Sequence, residues 1–104
     1  MMLTLLLAAA TPQLHHGPDT CVQGFVWREA VADDHVCVVP ATREQARRDN
    51  AAARYRVSLA KPPYCRVGYV WREAIEGDAV CVTPDIRAQT RRDNAAATSR
   101  YVSQ

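Results

Sequence analysis

Cys21-Val-Gln-Gly-Phe-Val-Trp-Arg-Glu-Ala30 returns 44 residues later as Cys65-Arg-Val-Gly-Tyr-Val-Trp-Arg-Glu-Ala74. The match continues, with Asp34, Val36, Cys37, Val38, Pro40, Arg43, Gln45 and the run 47–53 recurring at Asp78, Val80, Cys81, Val82, Pro84, Arg87, Gln89 and 91–97. Counting Arg56 and Arg100, 22 of 40 aligned positions are identical, so the chain is one unit written twice. A unit of about 40 residues is a supersecondary element that packs on its twin, and a pseudo-twofold pair is the arrangement to expect. The resulting division is repeat 1 over 21–57, a linker over 58–64 and repeat 2 over 65–102, preceded by a flexible stretch 11–20. In the linker, the pair Pro62-Pro63 favours an extended path.

Within a unit, Phe25-Val-Trp27 and Val80-Cys-Val82 carry the β-branched and aromatic residues of strands, and Glu76-Gly77-Asp78 carries a turn signal. A β-hairpin follows. Centring its turn between Glu76 and Gly77 sets Trp71 opposite Val82 and Arg72 opposite Cys81, which makes Tyr69, Trp71, Val80 and Val82 the core-facing set. After Pro40 and Pro84 the composition turns to Ala, Arg, Gln, Asp and Asn, suited to a helix opened by proline and supported by pairs such as Glu44 and Arg48. Small residues at Ala46, Asn50 and Ala53, and at Thr90, Asn94 and Ala97, allow that helix to approach its neighbours closely. The fold class is therefore α+β: two tandem disulfide-stabilised ββα repeats.

Composition agrees with a small, stapled module. Of 104 residues, 17 are Ala, and four of the six Leu and both Met lie in the first ten. What is left beyond Ala10 is a stock of 12 Val with few larger apolar side chains, at which small domains need covalent help. The uncharged opening, residues 1–10, reads as the apolar region of a secretory signal with Ala8 and Ala10 before a cut, and it is too short to span a bilayer. Export would place Cys21, Cys37, Cys65 and Cys81 in an oxidising compartment, where two disulfides are favoured over a metal. One bridge per repeat is the simplest of three connectivities, and it needs a bend at Gly24 and Gly68, because a straight strand carries Cys21 beyond reach of Cys37. Neither Cys-x-x-Cys nor other zinc spacing occurs, and no metal or cofactor is expected.

The most distinctive side chains are Trp27, Arg28 and Glu29 with their twins Trp71, Arg72 and Glu73. Two readings stand side by side. In one, Trp is core and the strand charges join Arg43, Asp49 and Asn50 of the helix, or Arg87, Asp93 and Asn94, in a network that fixes helix against hairpin. In the other, the Trp rings are twin stacking platforms for sugars or a flat cation, flanked by Arg. The helices add a basic side, Arg47, Arg48, Arg54, Arg91 and Arg92 among it, suited to a solvated face or to an anionic polymer. A net charge of +2 and the absence of any recognised binding motif make no strong case for nucleic acid. His15 and His16 precede the repeats, and His35 has Ala79 as its counterpart, which argues against a shared histidine mechanism. No nucleophile elbow, P-loop or dinucleotide fingerprint occurs, and turn chemistry accounts for Asp33-Asp34 better than calcium does.

The string Cys-x-x-Gly-[Phe/Tyr]-Val-Trp-Arg-Glu-Ala, then Asp-x-Val-Cys-Val-x-Pro, Arg-x-Gln and Asp-Asn-Ala-Ala, resembles a short repeat of secreted actinobacterial proteins. The likeness spans Cys21 to Arg56 and Cys65 to Arg100, and it implies export and modular use while leaving the ligand open. The function to expect is a secreted, non-enzymatic binding module acting on an anionic cell-envelope polymer, a glycan or a secreted protein. The alternative is an inhibitor or effector that inserts its hairpin turns into a protein target. A hydrolase using Glu29 or Glu73 with Asp34 or Asp78 ranks last, since so small a hairpin offers no water-excluded pocket.

Overall fold

A computed structural model describes residues 17–103; the proposed signal region 1–10, His15 and His16 lie outside the described residues. In repeat 1, β1 (Val26–Trp27) pairs antiparallel with β2 (Cys37–Val38), and α1 (Pro40–Ala52) follows. In repeat 2, β3 (Val70–Trp71) pairs with β4 (Cys81–Val82), followed by α2 (Pro84–Ala96). Both helices start on proline, whose missing N–H falls where a helix leaves its donors unpaired anyway, and both tighten into a 3-10 turn, Ala53–Tyr55 and Ala97–Arg100. The fold is thus α+β, two ββα units related by the duplication. No helix among the described residues is long and apolar enough to cross a membrane.

Disulfides join Cys21 to Cys37 and Cys65 to Cys81, with Cα atoms 5.7 and 5.6 Å apart. The reach is solved by a turn. Phe25 N–H donates to Val22 C=O and Tyr69 N–H to Arg66 C=O, with Gly24 at φ 98° and Gly68 at φ 97°, a left-handed conformation that glycine adopts without a Cβ penalty. Each cysteine-bearing segment is thereby folded back over the second strand of its own hairpin.

The hairpin register differs by one residue from the sequence expectation: Val70 faces Val82, and Trp71 faces Cys81. The cause is a side chain. The Asp78 carboxylate accepts the N–H of Ala74 at 2.8 Å and of Val80 at 3.3 Å, while Glu73 turns to φ 58°. Asp34 does the same for Ala30 and Val36. Counting residues symmetrically from a Glu-Gly centre overlooks an aspartate that takes over backbone bonding in the loop. A one-residue slip exchanges the faces. Trp27 and Trp71 share a face with the disulfides and are half-buried, as are Tyr69 and Val80, whereas Val38, Val82, Cys37 and Cys81 are completely enclosed.

The linker departs from expectation too. Instead of running extended, it closes on itself: Ser58 N–H donates to Tyr64 C=O, Tyr64 N–H donates to Lys61 C=O, and the Pro62–Pro63 peptide within that turn is cis. Val57 then forms a bridge with Cys65 of repeat 2. The symmetric partner of that bridge joins Tyr101, at the end of repeat 2, to Cys21 of repeat 1, flanked by Val22 N–H to Arg100 C=O and Val102 N–H to Thr20 C=O. Each repeat therefore sends its tail to the first cysteine of the other, and Asp19 and Thr20, expected to be flexible, are tied into the fold.

Candidate functional site

The centre of the molecule is charged. Beside Val38, Val82, Cys37, Cys81 and three alanines, the buried residues are Arg28, Arg72, Asp34, Asp78, Asp49, Asp93 and Thr90. Arg28, 2% exposed, lies where the hairpin of repeat 1 meets the helix of repeat 2. Its Nε and Nη2 hold Asp34 in a two-pronged pair at 2.7 and 3.0 Å, its Nη1 donates to Asn94 Oδ1 at 2.9 Å, and its Nη2 also reaches Ala74 C=O at 3.4 Å. Arg72 repeats the pattern with Asp78, Asn50 and Ala30. Asn50 Nδ2 and Asn94 Nδ2 close the ring by donating to Ala30 and Ala74 C=O. Since the planar guanidinium fork matches a carboxylate, these pairs keep their hydrogen bonds out of water, which a buried charge requires.

A second layer surrounds the first. Arg56 pairs with Asp49 at 2.9 Å and donates to Cys81 C=O, and Arg100 pairs with Asp93 at 3.0 Å and donates to Cys37 C=O. Arg56 also lies over the Tyr69 ring, and Arg100 over Phe25, so both cations are shared between repeats. Further pairs, Glu29 with Arg43, Glu73 with Arg87 and Arg91, and Glu44 with Arg47, sit at the surface, where ion pairs contribute little. The structure thus brings Arg28 to Asn94 and Arg72 to Asn50. It does not bring Asp49 or Asp93 to the strand arginines, whose acidic partners are Asp34 and Asp78. The sequence held a signal for that pairing, since Arg-x5-Asp occurs at the same place in both copies.

These bonds act on the Asp78 carboxyl. Burial by itself would raise the Asp78 pKa; the hydrogen bond from Arg72, the Ala74 N–H, the Arg72 charge and the Val80 N–H outweigh it and hold the group below the usual 3.8. Both oxygens of Asp34 and of Asp78 are occupied by arginine and backbone donors. Among the described residues no group of three or more His, Cys, Asp or Glu side chains is placed to hold a metal ion.

The aromatic ends are where the copies part. Trp27 Nε1 donates to Asp19 C=O, and the imidazole of His35 lies flat on the indole, ring centres 3.7 Å apart and planes 15° from parallel. His35 Nδ1 is hydrogen-bonded to the Asp19 carboxylate. In repeat 2, Trp71 Nε1 donates to Pro63 C=O, Ala79 replaces the histidine, and a cavity of about 520 Å³ opens beside the indole. Pro63, Trp71, Ile75, Glu76 and Ala79 are among its walls. A shallower hollow lies against Tyr64, Cys65, Tyr69 and Arg87, and it has a counterpart 44 residues earlier at Thr20, Cys21, Phe25 and Arg43. The two copies are alike there and unlike at position 35 against 79.

Tyr64 also stacks on Trp71, at 5.6 Å between ring centres, and Lys61 Nζ lies over Tyr64. A sequence reading that looks for what the repeats share passes over His35, Asp19, Tyr64 and Glu76; the mismatch between the copies is the signal that points to them. Comparison of the chain with family models, curated proteins and solved structures finds no match.

Proposed function

We propose that the chain is a secreted, non-enzymatic binding module that holds its partner at one end, in the cavity beside Trp71. Two disulfides per chain suit an oxidising, extracellular setting, as does the resemblance to secreted actinobacterial repeats. The observation that carries the reading is the cavity itself, about 520 Å³ with an indole wall and an exposed Ile75 at its edge, within the size range of ligand sites. Arg28 and Arg72 are spent inside the molecule, so they do not flank a stacking platform. Avidity for a repetitive polymer would call for two equal ends. The ends are unequal, and that favours a secreted or surface-attached protein as partner over a glycan.

The test is co-sedimentation of the oxidised protein with actinobacterial envelope, either intact or stripped of its proteins by detergent and protease. Retention on intact envelope only, lost in an Ala79→His variant that still melts cooperatively, is the expected result. Retention on stripped envelope, abolished by salt and by combined Arg47→Gln, Arg48→Gln, Arg91→Gln and Arg92→Gln changes, would return the function to anionic-polymer binding through the helices. Retention that is indifferent to Ala79→His would remove the Trp71 cavity from consideration.

A further inference from the structure

Repeat 1 supplies an internal comparison for the cavity of repeat 2. Duplication means that the same backbone surrounds Trp27 and Trp71, with strand registers that correspond residue for residue. On Trp27 that backbone seats a flat nitrogen ring belonging to the chain itself, and a carboxylate, Asp19, receives the ring's N–H. At Trp71 the ring is gone, because Ala79 stands for His35, and the carboxylate has moved. Pro63 occupies the position of Asp19, while Glu76 occupies that of Ala32. Glu76 lies on the cavity wall and makes no hydrogen bond or ion pair among the described residues, whereas the neighbouring Glu73 is held by Arg87 and Arg91 and Asp78 by Arg72.

Resting on the reading of the cavity as the binding site, we infer that it receives a planar nitrogen cation, the guanidinium or imidazolium of an arginine or histidine side chain on a partner protein, stacked on Trp71 and paired with Glu76. Three features agree on this class. The indole face offers its negative quadrupole to a flat cation, which can lie against it as the imidazole of His35 lies on Trp27. Glu76, the one carboxylate of the wall without a partner among the described residues, can accept the N–H groups of such a cation. The cavity is much larger than the group it stacks, and its apolar walls, Pro63, Ile75 and Ala79, leave room for the peptide that carries the cation. A lysine ammonium has the charge without the flat face, and a phenyl ring has the face without the charge, so the site separates the three.

The experiment titrates the oxidised protein with blocked tripeptides, glycine on either side of Arg, His, Lys or Phe, and follows the two indole N–H signals by NMR. The Arg peptide, and the His peptide below neutral pH, should shift the Trp71 signal saturably and leave that of Trp27 in place. The Lys and Phe peptides should bind at least about tenfold more weakly, and the isosteric, exposed Glu76→Gln change should weaken the Arg peptide by roughly the same factor. Ala79→His should abolish the shift, and His35→Ala should give Trp27 a response of its own. Equal binding of Phe and Arg, an unchanged affinity in Glu76→Gln, or no shift with any peptide would overturn the cation assignment. The envelope experiment separates the two failures. Loss of retention in Ala79→His without any peptide shift leaves the cavity as the site and removes only the ligand class, while retention in that variant removes both.

Discussion

The two hairpin ends have the same strand pairing and nearly the same residues, yet at one a histidine lies on the indole and at the other a cavity opens beside it. At the repeat 1 end, His35 covers Trp27 and is anchored by Asp19; at the repeat 2 end, Ala79 leaves Trp71 facing a cavity whose wall includes Glu76, unpaired among the described residues. The centre of the molecule shows the opposite behaviour. Arg28 with Asp34 and Asn94, and Arg72 with Asp78 and Asn50, agree in every partner and to within about 0.2 Å in every bond. Duplicated copies are held alike where each completes the other, and are free to differ where each meets solvent. Placing the difference at the tips and the identity at the middle is what lets one copy serve as a reference for the other.

The strongest way to break this comparison is at the centre. Arg28→Ala and Arg72→Ala should each lower unfolding stability by about 3–5 kcal/mol, because each leaves a buried aspartate without its partner. Denaturant titration of the oxidised variants checks this, and a difference between the two of more than about 1 kcal/mol would show that the halves are not equivalent inside. Next come the bridges. Removing either one, by Cys21→Ala with Cys37→Ala or by Cys65→Ala with Cys81→Ala, opens a loop of the same length and should cost about 3 kcal/mol in each repeat. Melting curves of the two paired variants should nearly superimpose.

Acid probes the same centre from the carboxylate side. The folded Asp78 carboxyl ionises below the usual 3.8, so its contribution to stability is complete above that value and is lost as pH falls through the lower, folded value. Thermal stability should hold from neutrality to near pH 4 and fall below it. An Asp78→Asn variant, weaker at pH 7, should lose less on acidification; an equal acid response in both proteins would move the effect to other carboxylates. The smallest expected effect belongs to the turns. Asp33 and Gly77 occupy matching left-handed positions, φ 66° and 87°, so Gly77→Ala should cost about 1 kcal/mol and Asp33→Gly should change stability by about 0.5 kcal/mol or less. A loss with Asp33→Gly comparable to that of Gly77→Ala would mean that the Asp33 side chain contributes more than its backbone angle.

Most of the architecture was legible because duplication prints it twice. Pro40 and Pro84 mark the helix starts, Gly24 and Gly68 mark the bends that bring the cysteines together, and the cysteines pair within each repeat. Periodicity misplaced the hairpin register because Asp34 and Asp78 bond to the loop backbone, an effect that polar and apolar alternation does not encode. The composition of the interior was hidden for a related reason. A chain short of large apolar residues fills its centre with arginine stems and saturates their heads, and a single repeat gives no hint that Asn94 is the one to meet Arg28. The site at Trp71 was the least legible, since Trp71 and Trp27 read identically and only the cover over each ring differs.

The exchanged tails have a further implication. Thr20 and Val102 meet at one crossing point, and Ser58 and Tyr64 at its symmetric partner; one crossing carries a covalent connection and the other only hydrogen bonds. Residues 17–103 are in effect a ring with one link left open. Bridging the described ends with a few residues and cutting the chain between Ser58 and Tyr64 would reverse the order of the repeats while keeping both disulfides and both arginine clusters, so the interior is indifferent to which copy is translated first.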